Sequence, residues 1–223
     1  MTAERVRLDL EEFLAGHHPE CREASFDYCY NFFQGFRDQK RLPDLLLPEH
    51  LPEACLHLGF YLASWGMFRG KSFLLQRSAR HFGKLIQTIA ATPEEVWAID
   101  VSSYSAENME RLVQCEKAIA EAVAVPGTTP TLTLTTKIML GVFGNVPAID
   151  TFVFNGLAAA TGKKAYSLDL QSLEAVRQFY LTHQKILDHA EIYTLDFLSG
   201  EPTSRRYSQA KLVDMALFMA GQR

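Results

Sequence analysis

The chain has 223 residues, 48% hydrophobic and 22% charged, with 22 Lys and Arg against 26 Asp and Glu. That composition suits a globular protein with one large core or two small ones, and it excludes a disordered chain, a collagen and a disulfide scaffold. A formal net charge of −4 argues against coating nucleic acid or an anionic membrane over the whole surface, but leaves room for a local basic patch.

In chain order, nearly every segment reads as helix. Glu4 to Ala15 sets Val6, Leu10, Phe13 and Leu14 on one side, and Gly16 ends it. Glu20 to Gln39 carries Phe26, Tyr30, Phe33 and Phe36 at helical spacing. A loop from Lys40 to His50 holds Pro43 and Pro48. Pro52 then opens an almost continuously apolar helix through Leu56, Phe60 and Leu62 toward Trp65, expected to be central and buried. Gly66 and Gly70 mark a turn. Lys71 to about Ala90 reads as one amphipathic helix, with Leu74, Ser78, Phe82, Leu85, Ile86 and Ile89 on one face and Arg77, Arg80 and Lys84 on the other. Thr92, Pro93, Glu94 and Glu95 combine a cap, a first-turn proline and first-turn acids at the start of a short helix through Trp97.

Ser105 to Val123 is a further helix, followed by a loop from Val125 to Thr131. Thr131 to Phe143 is rich in β-branched residues, yet it exceeds the usual strand length and is assigned as helix. Gly144 to Pro147 breaks it, and a helix from Pro147 or Asp150 to Ala160 is closed by Gly162. Ser172 to Ala190 and Tyr207 to Ala220 complete the set. No strand is expected, and no period of 20 to 50 residues repeats. The expected architecture is all-α: about nine helices in one orthogonal bundle, a single domain over 1–223 that divides at most into lobes at about 1–124 and 125–223.

No run of 18 apolar residues occurs, and Met1 to Glu12 lacks the apolar stretch of a signal peptide, so a cytoplasmic protein with no membrane contact is expected. Cys21, Cys29, Cys55 and Cys115 all lie more than four residues apart. They are expected to be free and mostly buried, with no zinc-type spacing among them. With no HExxH, GxGxxG, GxxxxGK[ST] or GxSxG in the chain, no metal and no cofactor is expected.

Two stretches carry chemistry. From Thr135 the chain reads TTKIMLGVFGNVPAIDTFVFNGL, a helix, a short loop and Asp150 at the start of the next helix. By its residue type and place, Asp150 is a good helix N-cap. The second stretch runs from Trp65 to Lys84. Arg69, Lys71, Arg77, Arg80 and Lys84 lie within 16 residues with no acid among them, the best phosphate or nucleic-acid patch in the chain. Trp65 is the aromatic residue that could line a pocket beside it.

The stretch from Thr135 resembles part of the helix-hairpin-helix DNA glycosylases. In that superfamily a helix runs into a loop and then a "VDTHV"-like segment with a catalytic aspartate. Ile149, Asp150, Thr151, Phe152 and Val153 stand in that position here. The resemblance implies that Asp150 stabilises a cationic sugar or activates water. The family's glycine hairpin is matched only by Val125, Pro126 and Gly127, about three residues too far upstream, and its lysine nucleophile falls near Leu134, one turn before Lys137. More broadly, the segments 61–76, 136–152 and 211–223 resemble an uncharacterised bacterial all-helical family, which implies a shared fold and no particular activity.

Three readings follow, and catalysis itself stays undecided among them. One is a glycosylase-like protein acting on DNA, active or degenerate. The second is a non-catalytic interaction or homo-oligomeric module. The third is an enzyme for a phosphate-bearing or other small ligand that uses the Trp65 to Arg77 region.

Overall fold

A computed structural model describes all residues, 1–223. Ten α-helices are present: α1 Ala3–Leu14, α2 Ala24–Asp38, α3 Leu51–Ser64, α4 Gly83–Ala90, α5 Glu94–Trp97, α6 Ala106–Val123, α7 Leu132–Phe143, α8 Thr151–Thr161, α9 Leu170–His189 and α10 Gln209–Ala220. The fold is all-α, as composition and periodicity predict. The caps explain most boundaries. Thr2, Ser105, Thr131, Asp150, Asp169 and Ser208 each accept a backbone N–H at a helix start. Gly144 and Gly162 stop α7 and α8 in the left-handed conformation.

Two helices organise the interior. Every residue of α7 from Leu134 to Phe143 is buried, and the helix packs against α2, α3 and α6. Its threonines tolerate the helix because their hydroxyls find carbonyls: Thr135 and Thr136 bond one turn back, Thr136 to Leu132 at 2.7 Å, and Thr133 donates to Ile149 at 3.0 Å. α10 packs against α1, α8 and α9, with Ala210 to Leu217 all buried. One contiguous core runs from Val6 to Leu217. All four cysteines are free; Cys29, Cys55 and Cys115 are buried and Cys21 is partly exposed. Burial pushes the Cys115 thiol up to about 12.

Three expectations are corrected. Lys71 to Ala90 is not one helix. Two 3-10 turns, Phe73–Gln76 and Ala79–Phe82, precede α4, and Arg77 and Ser78 between them are extended. Ser72 accepts the Leu74 N–H and His81 bonds the Val123 carbonyl, so local and tertiary partners replace the helical ladder. Arg77, Arg80 and Lys84 therefore share no helix face. Second, strands exist: β1 Tyr193–Leu195 and β2 Pro202–Arg206 form an antiparallel hairpin, with Tyr193 opposite Arg206. Asp196 organises its turn by accepting the Leu198 and Ser199 N–H groups. The hairpin is latched to α2 by the Leu195 N–H, which donates to the buried Asp27. Third, two early helices differ from expectation: the aromatic helix starts at Ala24 rather than Glu20, and α3 is buried on one side only, through Ala54, Cys55, Leu58, Tyr61 and Leu62, with Leu56 and Phe60 exposed.

Asp100 ties the start of α10 to the middle of the chain. It accepts the N–H groups of Gln209 at 2.7 Å, Ala210 at 2.9 Å and Val101 at 2.8 Å. Burial outweighs these donors and pushes Asp100 up to about 6. Between roughly pH 4 and that value the folded chain holds a proton that the unfolded chain has released. Raising pH through this window therefore removes up to about 1.4 kcal/mol of stability per pH unit from this group. In urea unfolding across pH 4 to 6.5, the stability gap between the protein and Asp100→Asn is expected to narrow as pH rises. A gap independent of pH would contradict the assignment.

Candidate buried lysine–aspartate site

Four charged side chains meet where α3, α7, α8 and α10 converge. Asp150 is the N-cap of α8, and its Oδ1 accepts the N–H groups of Phe152 at 3.0 Å and Val153 at 3.1 Å. Its Oδ2 accepts from Lys137 Nζ of α7 at 3.2 Å. From α10, Lys211 Nζ donates to Asp214 Oδ2 at 3.3 Å, and Asp214 Oδ1 accepts the Ala148 N–H at 2.9 Å. These side chains are hidden: Lys137 is 4% exposed, Lys211 2%, Asp214 8% and Asp150 17%.

Trp65, at the end of α3, stands over the cluster. Lys137 Nζ lies 5.0 Å and Lys211 Nζ 5.5 Å from its ring centroid, and the Arg22 guanidinium lies 4.7 Å from it. Lys211 also faces the rings of Phe13 and Phe26 at 4.9 and 4.6 Å. A void of about 10 Å³ remains between Tyr61, Trp65, Lys137, Asp150, Lys211 and Asp214, room for about one water molecule. Burial pushes Tyr61 well above the usual phenol range, and the nearby Asp214 adds to it. Burial also raises Asp214, while Lys211 and then Lys137 pull it back.

Glycines hold this frame tightly closed. A Cβ on Gly141 would lie 2.3 Å from the Tyr61 ring. A Cβ on Gly156 would lie 2.0 Å from the Leu217 carbonyl oxygen, and one on Gly221 would lie 1.8 Å from that of Phe152. The backbones of α8 and α10 thus touch, which sets Asp150 beside the α10 charges.

Of the residues singled out from sequence, Asp150 and Trp65 belong to the same cluster. Arg69 is exposed, with its side chain folded against Gly66, 2.9 Å from where a Cβ would stand. Lys71, Arg77, Arg80 and Lys84 are exposed, and neither they nor Arg69 form an ion pair or line the void. Sequence reasoning withheld a role from Lys137 and passed over Tyr61, Lys211 and Asp214. A signal was present: Lys137 sits alone in the apolar run TTKIMLGVF, and Lys211 and Asp214 interrupt the apolar KLVDMALFM. Charges inside such runs are costly unless paired.

A groove of about 900 Å³ lies elsewhere, between α4, α5, α6 and the start of α9. Arg111 and Glu107 on its wall pair with each other, and it gathers no buried charge cluster. No group of three or more His, Cys, Asp or Glu is placed to hold a metal ion. No helix is long and apolar enough to cross a membrane. The fold and the site thus define an all-α protein with two lysine–aspartate pairs closed under one tryptophan. Comparison with protein-family models, curated proteins and solved structures finds no match to this chain.

Proposed function

We propose that the protein acts on DNA as a glycosylase-like enzyme, with Asp150 as the carboxylate and Lys137 as the neighbouring amine. The observation that carries this reading is the 3.2 Å contact between Lys137 Nζ and Asp150 Oδ2 at the N-terminus of α8. Cleavage of an N-glycosidic bond builds positive charge on the sugar, and a carboxylate held by two backbone N–H groups is oriented to stabilise it. A lysine amine that gives its proton to that carboxylate can attack C1′ of the sugar as the C1′–N bond to the base breaks, and the base leaves with the proton that Asp150 holds. The exposed and unpaired Arg69, Lys71, Arg77, Arg80 and Lys84 supply the cations for phosphate contact. The void holds only about one water, so a sugar reaches Asp150 only when Trp65 and Arg22 move aside.

A single Asp150→Asn change does more than alter a cap here, because it leaves the Lys137 charge buried without its partner. The Lys137→Gln/Asp150→Asn pair removes both charges together and is the better test. We expect the protein to bind damaged duplexes with an affinity that falls as salt rises, and to release base. The double variant should keep its circular dichroism and DNA binding but release base at least a hundred-fold more slowly. Borohydride should trap a covalent adduct with an abasic duplex, lost in Lys137→Gln. Protein that ignores DNA at low salt and releases no base would end this reading.

A second reading has its own support. Leu56, Phe60, Phe197 and Leu198 are 60, 69, 71 and 92% exposed, and the first three line a groove of about 630 Å³ between α2 and α3. Exposed apolar surface of this kind suits a protein-interaction or homo-oligomeric module. Sedimentation of the protein and of Phe60→Glu distinguishes self-association from a monomer.

A further inference from the structure

The hydrogen-bonding groups around the void are unbalanced. Each lysine ammonium carries three donors and spends one on its own aspartate. The Trp65 indole N–H is buried and has no partner. The Tyr61 side chain, 2% exposed, also lines the void. On the acceptor side, Asp150 Oδ1 already accepts two bonds, from Phe152 and Val153, and Asp214 Oδ1 accepts one from Ala148, so three carboxylate lone pairs stay open against five lysine and indole donors. Unspent donors outnumber unspent acceptors, and a buried donor without a partner is costly. Arg22 stands behind the Trp65 ring and is itself paired with Glu23 at 2.9 Å, so the two lysines and the indole supply the donors that face the void.

We infer that the void is a binding site for one negatively charged acceptor atom. That atom is a free halide ion. Trp65 Nε1, the Tyr61 hydroxyl, Lys137 and Lys211 are its donors. The volume admits one such atom and no larger body. The inference stands without the DNA reading, because its measurements need neither DNA nor turnover.

Two measurements on the full chain test it. Thermal unfolding is followed while chloride replaces gluconate, an anion too large for the void, at constant ionic strength. Crystals are soaked in bromide and read by anomalous scattering. We expect a saturable rise in melting temperature with chloride and a bromide peak between Trp65 and Lys211. Tyr61→Phe removes one donor with little change of shape, Trp65→Phe removes the indole N–H together with part of the ring, and each should weaken the chloride effect about ten-fold. Equal melting temperatures in chloride and gluconate, with no anomalous peak in the void, would show a site for water alone and overturn the inference. A chloride effect unchanged in both variants would overturn it as well, since the anion would then sit elsewhere.

Discussion

Gly156→Ala is expected to destabilise the protein by about 3 kcal/mol, although alanine is the better helix former by about 1 kcal/mol. The new methyl group would stand 2.0 Å from the Leu217 carbonyl oxygen, and backbone cannot swing aside as a side chain can. Relief requires α8 and α10 to separate, and that separation draws Asp150 away from the α10 charges. Gly35→Ala is the control. Gly35 lies inside α2, and a Cβ there meets nothing within 4 Å. It should gain about 0.5 to 1 kcal/mol, chiefly through lost freedom of the unfolded chain. Urea denaturation of both variants checks the signs. If Gly156→Ala also stabilises, the close approach of α8 and α10 is not as described.

Lys211→Met is expected to cost about 3 to 5 kcal/mol, the range for removing one member of a buried ion pair. Methionine fills the space against Phe13, Phe26 and Trp65, so lost packing is a small part of the effect. The larger part is the Asp214 carboxylate, left buried with the Ala148 N–H at 2.9 Å and the charge of Lys137, which is paired to Asp150. Lys211→Met/Asp214→Leu removes both charges and should recover much of the loss. It cannot recover all of it, because the Ala148 N–H then has no acceptor, worth about 1 to 3 kcal/mol. Urea unfolding of the two single variants and the double variant gives the interaction energy directly. A cost under about 1 kcal/mol for Lys211→Met would mean that Asp214 carries a proton in the native protein, the direction in which burial drives it.

The sequence alone determined the helices that local rules specify. Glu94–Trp97 follows from the proline and acids that begin it. α7 and α8 end at Gly144 and Gly162 because a left-handed residue closes each, and the Asp150 side chain caps α8 as its type and place predict. These are interactions within one or two turns, so neighbouring residues suffice to settle them. Tertiary structure decided the rest. Residues 71–82 have helical periodicity, but the burial of Leu74 and Phe82 and the His81 bond to Val123 lie beyond any local rule and hold the segment in 3-10 turns. The hairpin at 193–206 depends on Asp27, 168 residues before Leu195. The site was legible only in fragments, as an aspartate at a helix start, a tryptophan and lone charges in apolar runs. Lys137 meets Asp150 because the loop after Gly144 runs back along α7, where the Thr136 hydroxyl accepts the Ile149 N–H and the Thr133 hydroxyl donates to the Ile149 carbonyl. The α10 pair joins them because Gly156 and Gly221 let two backbones touch. Short-range propensity sets where helices begin and end, but which charges share one void depends on how closely distant helices can approach.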